Sequence, residues 1–345
     1  MTLHPSEMDR RTLLKTLGSV AAAAAFSRFG MAASPAAKPF RGLFPIAASP
    51  FTEDNKLDLD CLAAEVAFCN RGRVPGLIWP QIASGWTTLS SDERLAGAEA
   101  MIAAGKGGKT AVVIGVQTQN NDLPGAIAYA KHAAKTGADA ICSLPPEKGD
   151  DAALLEYYKA IGAATDLPLF IQSTGDMSVD VVVQAFKSIP TVKVVKDEAG
   201  DPLARITDLR AKTGNKLAIF AGKGVRQMMD EMRLGFTGFC PTMGLSDVFQ
   251  QAWELWEAGK QRESYDMFGR IQAFSTFAGA DAYVLVARGV FKETTKTRPT
   301  PGMGTGSGAS GASGSGGTRT GALTDDDKKT VRDALNMYLK PYLRA

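Results

Sequence analysis

Short apolar or β-branched runs alternate with longer segments of helical periodicity along most of the chain. The longer segments repeat apolar residues at helical spacing, which predicts helices at 59–70, 92–104, 123–136, 151–164, 178–188, 226–234 and 249–258. The short runs predict strands at 42–48, 76–80, 110–116, 138–144, 167–171, 192–195, 217–220 and 238–240. Strands that alternate with helices in this way are typical of a closed parallel barrel. The pattern therefore predicts an α/β fold, the (β/α)8 TIM barrel.

An open doubly wound sheet is the alternative arrangement for such a pattern. That fold requires a Gly-rich phosphate-binding turn directly after its first strand. The first predicted strand runs instead into Ala47-Ala48-Ser49-Pro50-Phe51, which contains no glycine. The closed barrel is therefore favoured over the open sheet.

Composition divides the rest of the chain. The 345 residues, 45% of them hydrophobic, suffice for one barrel, which we assign to 40–300. Residues 301–321 are almost wholly Gly, Ser, Ala and Thr, and this composition predicts a flexible surface loop. Residues 322–345 predict a C-terminal helical extension that packs on the barrel, with Thr324 as its N-cap and aspartates in its first turn.

Residues 1–33 have the layout of an export signal. Arg10-Arg11 precede an apolar stretch at 17–26, and small residues follow at 31–33. The paired arginines favour the twin-arginine route, so we expect a periplasmic or exported protein that has no membrane contact once the signal is cleaved. The alternatives are an N-terminal anchor and a disordered tail. The stretch is shorter than the span of about 20 residues that an anchor needs, which favours cleavage.

Charge and residue usage exclude several kinds of site. A net charge of +3 gives no reason to expect a nucleic acid or another polyanion as a partner. The two histidines are His4, in the predicted signal, and His132, which we interpret as an ordinary helix-face residue. A His-based metal site is therefore nearly excluded, and no metal, nucleotide or flavin cofactor is indicated.

The four cysteines lack the spacing of a metal site. Cys61 and Cys69 lie on one predicted helix, roughly 12 Å apart at the helical rise per residue, which is too far for a disulfide. Cys142 and Cys240 belong to separate predicted strands. We therefore expect buried free thiols.

Several segments share their order and spacing with one known family. In chain order they are Ala48-Ser49-Pro50-Phe51-Thr52-Glu53-Asp54, Thr88-Leu89-Ser90-Ser91-Asp92-Glu93-Arg94, Gly137-Ala138-Asp139-Ala140, Val194-Val195-Lys196-Asp197, Gly235-Phe236-Thr237-Gly238-Phe239 and Arg298-Pro299. Together they resemble the dihydrodipicolinate synthase / N-acetylneuraminate lyase family across 40–343. The resemblance implies a barrel, often a homo-oligomer (tetramer or dimer), whose lysine forms an imine with pyruvate or another 2-keto acid. The expected partner is a small-molecule keto acid.

Lys196 is the residue on which this chemistry would depend. It follows the predicted sixth strand, where alternation places Val192, Val194 and Lys196 on one face at the C-terminal mouth of the barrel. Partial burial is expected to lower the pKa of its ammonium group and to create the neutral amine that attacks a carbonyl. The alternative is a lysine that only pairs with Asp197 or Glu198. The resemblance favours the imine-forming role.

The chain departs from the family at the acid–base groups. Gln172 stands near the end of the predicted fifth strand, where the family has a tyrosine that transfers protons, and an amide cannot titrate in this way. A second family tyrosine is also missing, and Glu147 in that region is either a substitute acid or a solvated loop charge. Met177 stands near the arginine that holds the aldehyde substrate in dihydrodipicolinate synthases. These departures argue against a role in lysine biosynthesis.

These positions define a candidate site, with Lys196 and Gln172 as its catalytic residues. The family signature Gly-Thr-Thr-Gly-Glu after the second strand is replaced by 82–88, where Ser84 and the Gly85 backbone could still bind a carboxylate. Trp86 in the same segment is either a pocket wall or part of the core. The candidate substrate-binding residues are Ala83, Ser84, Gly85, Gly222 and Cys240.

Two functions from different classes follow. The first is a Schiff-base-forming lyase or aldolase that acts on a 2-keto acid or sugar-acid derivative through Lys196. Gln172, Ser84 or an ordered water would then replace the family tyrosine. The second is a non-catalytic periplasmic barrel that binds a carbonyl or carboxylate ligand. We favour the first, because partial burial of a lysine at the barrel mouth costs desolvation energy, and carbonyl chemistry gives a reason for that cost.

Overall fold

Apolar runs form the parallel strands of the computed structural model, which describes residues 38–277, 279–298 and 323–345. The predicted export signal and the loop at 301–321 lie outside the described residues. The strands are β1 (Gly42–Leu43), β2 (Gly76–Trp79), β3 (Ala111–Gly115), β4 (Ala140–Ser143), β5 (Leu169–Ser173), β6 (Val192–Asp197), β7 (Ala218–Ala221) and β8 (Gly238–Phe239).

The strands lie in the order β1-β8-β7-β6-β5-β4-β3-β2. Each described pair in this sheet is parallel. Ile46 bridges both Ile78 and Thr242, which brings the two edges of the sheet together. The (β/α)8 barrel that the pattern predicts is thereby confirmed.

β1 is shorter than the predicted strand over 42–48. Its regular pairing with β8 ends at Leu43, because Pro241, the residue in position to donate to the Phe44 carbonyl, has no N–H group. Beyond it, Ile46 makes isolated bridges rather than a continuous strand.

β5 and β6 extend further toward the mouth than predicted. Gln172 pairs with Lys196 in the parallel ladder, and Ser173 pairs with Asp197. This register sets the two predicted catalytic residues side by side. Val192 was expected on the same face as Lys196, but it packs in the core outside the barrel, between the strands and the helices. The reason is a shift of register between β5 and β6 near the start of the two strands.

A helix follows each strand, and many of these helices begin with a side-chain cap. The N-cap carboxylate or hydroxyl accepts a hydrogen bond from a first-turn N–H at Asp58, Ser90, Asp122, Asp150, Ser178 and Asp201. The helices are α1 (Leu59–Gly72), α2 (Ser91–Gly105), α3 (Leu123–Thr136), α4 (Asp151–Ala163), α5 (Val179–Ser188), α6 (Pro202–Thr213), α7 (Met228–Leu234), α8 (Ser246–Glu257), α9 (Gln261–Ser275), α10 (Ala280–Ala287) and α11 (Asp325–Ala334).

Aromatic side chains fill the inside of the barrel. Phe44, Phe170 and Phe220 are fully buried, and their ring centroids lie 6.0, 5.1 and 5.6 Å apart. Val194 of β6 belongs to the same cluster. Because side chains alternate along a strand, Lys196 faces the interior one step nearer the C-terminal ends of the strands.

The C-terminal segment packs on the barrel helices. The Thr324 hydroxyl caps α11 by accepting the N–H of Asp327, as predicted. Val331 of this helix is fully buried. Farther along, Arg344 forms an ion pair with Glu254 of α8 at 2.6 Å.

His132 and the four cysteines, for which the sequence indicated no catalytic or metal-binding role, have structural roles. His132 on α3 contacts Glu99 of α2 at 2.9 Å, so it is a helix-face residue. The four cysteines are buried and unbridged, as expected. Within the described ranges no helix is long and apolar enough to cross a membrane, and no group of three or more metal-binding side chains occurs.

Candidate active site

A cavity of about 660 Å³ opens at the C-terminal ends of the strands. Its wall includes Gln172 of β5, Lys196 of β6 and Cys240 after β8. Ala83 and Gly222 also line it. The catalytic groups of (β/α)8 barrels lie at this end, so the fold brings these predicted residues to the expected place.

Lys196 and Gln172 share one carboxylate. The Nζ atom of Lys196 lies 3.0 Å from Oε2 of Glu198, and Nε2 of Gln172 donates a hydrogen bond to the same oxygen. The other oxygen, Oε1, accepts the main-chain N–H of Lys223 at 2.7 Å. Donors from three elements therefore fix the Glu198 carboxylate beside the lysine.

Burial and ion pairing act on Lys196 in opposite directions. The residue is only 5% exposed, and burial by itself would lower the pKa of its ammonium group. The charge of Glu198 and the hydrogen bond to it outweigh burial, so the pKa of Lys196 lies above its ordinary value. Burial also acts on Glu198, where it raises the pKa of the carboxyl group. The charge of Lys196 and the hydrogen bond from the Lys223 N–H lower this pKa by more than burial raises it, so the net shift is downward. The resting pair is therefore an ammonium and a carboxylate.

This result corrects the expectation that partial burial lowers the pKa of Lys196. The expectation considered the desolvation of the lysine but not the close approach of Glu198. A neutral amine at Lys196 then requires that its proton move to a base. Glu198 is such a base, and it is within hydrogen-bond distance.

Gly222 allows Glu198 to reach the lysine. A Cβ atom at this position would lie 1.9 Å from Oε1 of Glu198, so a larger residue would displace the carboxylate. The following residue, Lys223, supplies the N–H that holds the same oxygen. Gly222 thus positions Glu198 as well as lining the cavity.

Gln172 retains an unused hydrogen-bond acceptor. The side chain is fully buried, and its Oε1 atom has no partner among the described residues. Leaving a buried polar atom unsatisfied costs about 1–3 kcal/mol. Because Gln172 lines the cavity, a hydroxyl group or a water molecule there would satisfy this oxygen.

The loop after β2 contributes less to the cavity than predicted. The Ser84 hydroxyl donates to the carbonyl of Ala47 at 2.6 Å and accepts the N–H of Gln81 at 3.0 Å. Gly85 has a φ of 64° and ends this turn. Ala83 lines the cavity, but Ser84 and Gly85 do not. The physical reason is that the hydroxyl is committed to the loop's own backbone.

Other positions considered in the sequence lie apart from the cavity lining. Glu147 is exposed and accepts the N–H of Asn120, as a solvated loop charge would. The Trp86 ring lies 5.8 Å from the guanidinium carbon of Arg94. Met177 is buried, at 4% exposure.

Glu231 is a cavity residue that the sequence reasoning missed. It lies on α7, is 5% exposed, and its Oε2 atom has no hydrogen-bond partner among the described residues. Burial, together with the charge of Asp230, raises its pKa to about 8. The signal in the sequence was an acid on the apolar face of a helix, since Met228 and Met232 are also buried.

Comparison with known proteins agrees with this architecture. The sequence model of the dihydrodipicolinate synthetase family matches residues 39–273. The 4-hydroxy-tetrahydrodipicolinate synthase of Methanosarcina mazei is 30% identical over 181 residues, which cover 50% of this chain and 60% of that protein. The chain spans about three fifths of the length of the curated relatives that it matches.

Solved structures share the fold. The dihydrodipicolinate synthase of Rhodopseudomonas palustris has a TM-score of 0.70 at 22% identity, covering 86% of this chain and 97% of that one. The N-acetylneuraminate lyase of Mycoplasma synoviae has a TM-score of 0.70 at 19% identity, covering 87% and 99%. Since the family match spans most of the barrel and agrees with the segments noted in the sequence, this protein belongs to the dihydrodipicolinate synthetase family.

Proposed function

We propose that this protein is a carbon–carbon lyase that forms an imine between Lys196 and the carbonyl carbon of a 2-keto acid. One observation carries the proposal. Lys196 lies in the wall of the cavity, and its Nζ atom is 3.0 Å from the carboxylate of Glu198, which can take its proton. Membership of a family of lyases supports the same reaction type.

The first step uses the pair of Lys196 and Glu198. The ammonium passes a proton to Oε2 of Glu198, and the neutral amine attacks the carbonyl carbon. Loss of water gives an iminium, which withdraws electrons from the neighbouring carbon and stabilises the carbanion of bond cleavage or formation. Gln172 positions Glu198 through its Nε2 atom and does not exchange protons.

The substrate in this proposal is a 2-keto acid or a sugar-acid derivative rather than the aldehyde of lysine biosynthesis. The curated relatives carry the name 4-hydroxy-tetrahydrodipicolinate synthase. Here, however, the arginine position near Met177 holds a buried apolar side chain. The adjacent cation, Arg205, donates to Asp197 and to the Met177 carbonyl and is thus already engaged.

Trapping with borohydride tests the proposal. The protein would be incubated with pyruvate, 2-ketobutyrate or 2-ketoglutarate, reduced, and measured by intact mass. We expect one reduced adduct per chain with at least one of these acids. If none of them labels the protein while a carboxylate ligand still raises its melting temperature, the non-catalytic binding barrel is the better description.

Replacing Glu198 by glutamine should lower the pKa of Lys196. Burial, the largest influence on this lysine, would then act without the opposing charge that now raises its pKa. The measurement is the rate at which trinitrobenzenesulfonate modifies Lys196 as a function of pH, read by peptide mass. The midpoint should move to lower pH in Glu198→Gln and stay in place in Glu147→Gln, which changes an exposed loop acid. An unmoved midpoint in Glu198→Gln would contradict the assigned role of the pair.

Export by the twin-arginine route and assembly into a dimer or tetramer are also proposals. The first rests on Arg10-Arg11 before an apolar stretch, and the second on the family resemblance. A reporter that is active only after folded export, fused to residues 1–40, should lose its periplasmic signal when both arginines become lysine. Light scattering of the mature protein measures its oligomeric state.

A further inference from the structure

Glu231 shares the cavity with Lys196 but has no part in the steps proposed above. Its carboxyl group is carried by α7, which follows the turn after β7, whereas Glu198 directly follows β6. Buried carboxyl groups are normally hydrogen-bonded or paired with a cation. The unpartnered Oε2 atom of Glu231 is therefore an exception that calls for a ligand or a chemical role.

The groups around Glu231 favour its protonated form. Burial is the main influence, and the charge of Asp230 on the same helix acts in the same direction. The Cys240 thiol lies near enough to be influenced by Glu231, and burial raises the pKa of that thiol, so it stays a neutral S–H group beside the carboxyl group. In the described part of the chain, no lysine, arginine or histidine forms an ion pair with this carboxyl group.

Glu198 and Glu231 are thus two carboxyl groups of one cavity in opposite states. Glu198 is anionic and held by three donors, whereas Glu231, with a pKa of about 8, carries a proton at neutral pH, and its Oε2 atom has no partner among the described residues. When the surroundings push the pKa values of two carboxyl groups in one site apart, the group with the lower pKa can act as the base and the group with the higher pKa as the acid. Glu198 can accept a proton, and Glu231 can donate one.

We infer that Glu231 is the general acid of imine formation, an inference that rests on the proposed function. After Lys196 attacks the carbonyl carbon, a proton moves from its nitrogen to the former carbonyl oxygen, and the product is a carbinolamine with a hydroxyl group on that carbon. The lone pair of the lysine nitrogen forms the C=N bond while the C–O bond breaks. The leaving oxygen takes the proton of Glu231 and departs as water. The step leaves a positively charged iminium and a Glu231 carboxylate, and hydrolysis of the imine returns the proton.

The test is the rate of labelling rather than its extent. Wild type, Glu231→Gln and Glu231→Asp would be mixed with pyruvate and quenched into excess borohydride at timed intervals. General acid catalysis typically contributes about 10²–10⁴-fold, so Glu231→Gln should label slower by roughly that factor. Glu231→Asp, which keeps a proton donor, should recover part of the rate. The matched control is Glu147→Gln, which makes the same replacement at an exposed loop position outside the cavity lining and should keep the wild-type rate.

The pH dependence separates an acid from a merely structural residue. The ratio of the wild-type rate to the Glu231→Gln rate should fall about tenfold per pH unit above about 8, as Glu231 loses its proton. If Glu231→Gln does not fold, the labelling rate of the wild type must still begin to fall with rising pH near pH 8. The labelling rate of Glu231→Asp must also fall above some pH, since the aspartate is an acid too. Equal rates in wild type and Glu231→Gln, or a ratio independent of pH, would overturn this inference and leave the imine intact. Failure of wild type to label at all would instead overturn the proposed function.

Discussion

Replacing Lys196 by alanine should abolish the borohydride-trapped adduct and reduce turnover to the background rate. Removal of the amine removes the covalent route itself, not only an interaction that assists it. The loss should far exceed that of Gln172→Ala, which removes a group that positions Glu198 but cannot form an imine. Intact mass after reduction with pyruvate, followed by peptide mapping, measures the first effect. Consumption of the best labelling keto acid or its aldol adduct measures the second.

Lys223→Ala is the matched control for this variant. Lys223 lines the same cavity, but its side chain is exposed and its Nζ atom donates to the carbonyl of Gly200 at 2.8 Å. It should keep the adduct. Lys193→Ala, which alters an exposed position on the same strand, should keep it too. An adduct that persists in Lys196→Ala and disappears in either control would show that the reactive amine was assigned to the wrong lysine.

Replacing Asp247 by alanine should destabilise the protein by about 3–5 kcal/mol, because it leaves a buried guanidinium without its counter-charge. Arg288 donates from Nη1 and Nη2 to the two carboxylate oxygens of Asp247 at 2.6 and 2.8 Å. The two side chains are only 1% and 0% exposed. Asp247 also accepts the N–H of Arg344 at 2.8 Å, so the pair joins α8, the end of α10 and the C-terminal segment. Urea-induced unfolding followed by circular dichroism measures the change.

Two further variants show whether the loss comes from an uncompensated charge. Asp247→Ala combined with Arg288→Met should lose less than the sum of the single changes, because no buried charge then remains unpaired. Glu257→Ala removes the partner of Arg41 in an exposed pair and should cost at most about 1 kcal/mol. If Asp247→Ala costs no more than Glu257→Ala, the buried pair does not stabilise the fold as its geometry implies.

Local periodicity by itself determined the architecture of this protein. A short apolar or β-branched run marks a strand and a helical spacing marks a helix wherever it occurs, so the alternation of the two predicted the barrel. The same local rules placed Lys196 at the mouth, whereas Gln172, just beyond the predicted fifth strand, was identified through the family resemblance. They also gave the Thr324 cap of the last helix, since a cap depends on residues three positions apart. The ends of β1 and β5 were less accurately predicted, because pairing with a neighbouring strand decides where a ladder stops.

Only the tertiary structure decided the protonation state of Lys196 and which residues line the cavity. The charge of Lys196 depends on Glu198, whose approach is possible because Gly222, distant in the chain, has no side chain there. Ser84 was predicted to face the substrate, yet its hydroxyl is used by the carbonyl of Ala47. In the sequence Glu231 was visible only as an acid within an apolar helix face, and its place in the cavity wall depends on how α7 packs against the barrel. Such contacts join residues far apart in sequence, and electrostatic free energies depend on distance and burial, which no local pattern records.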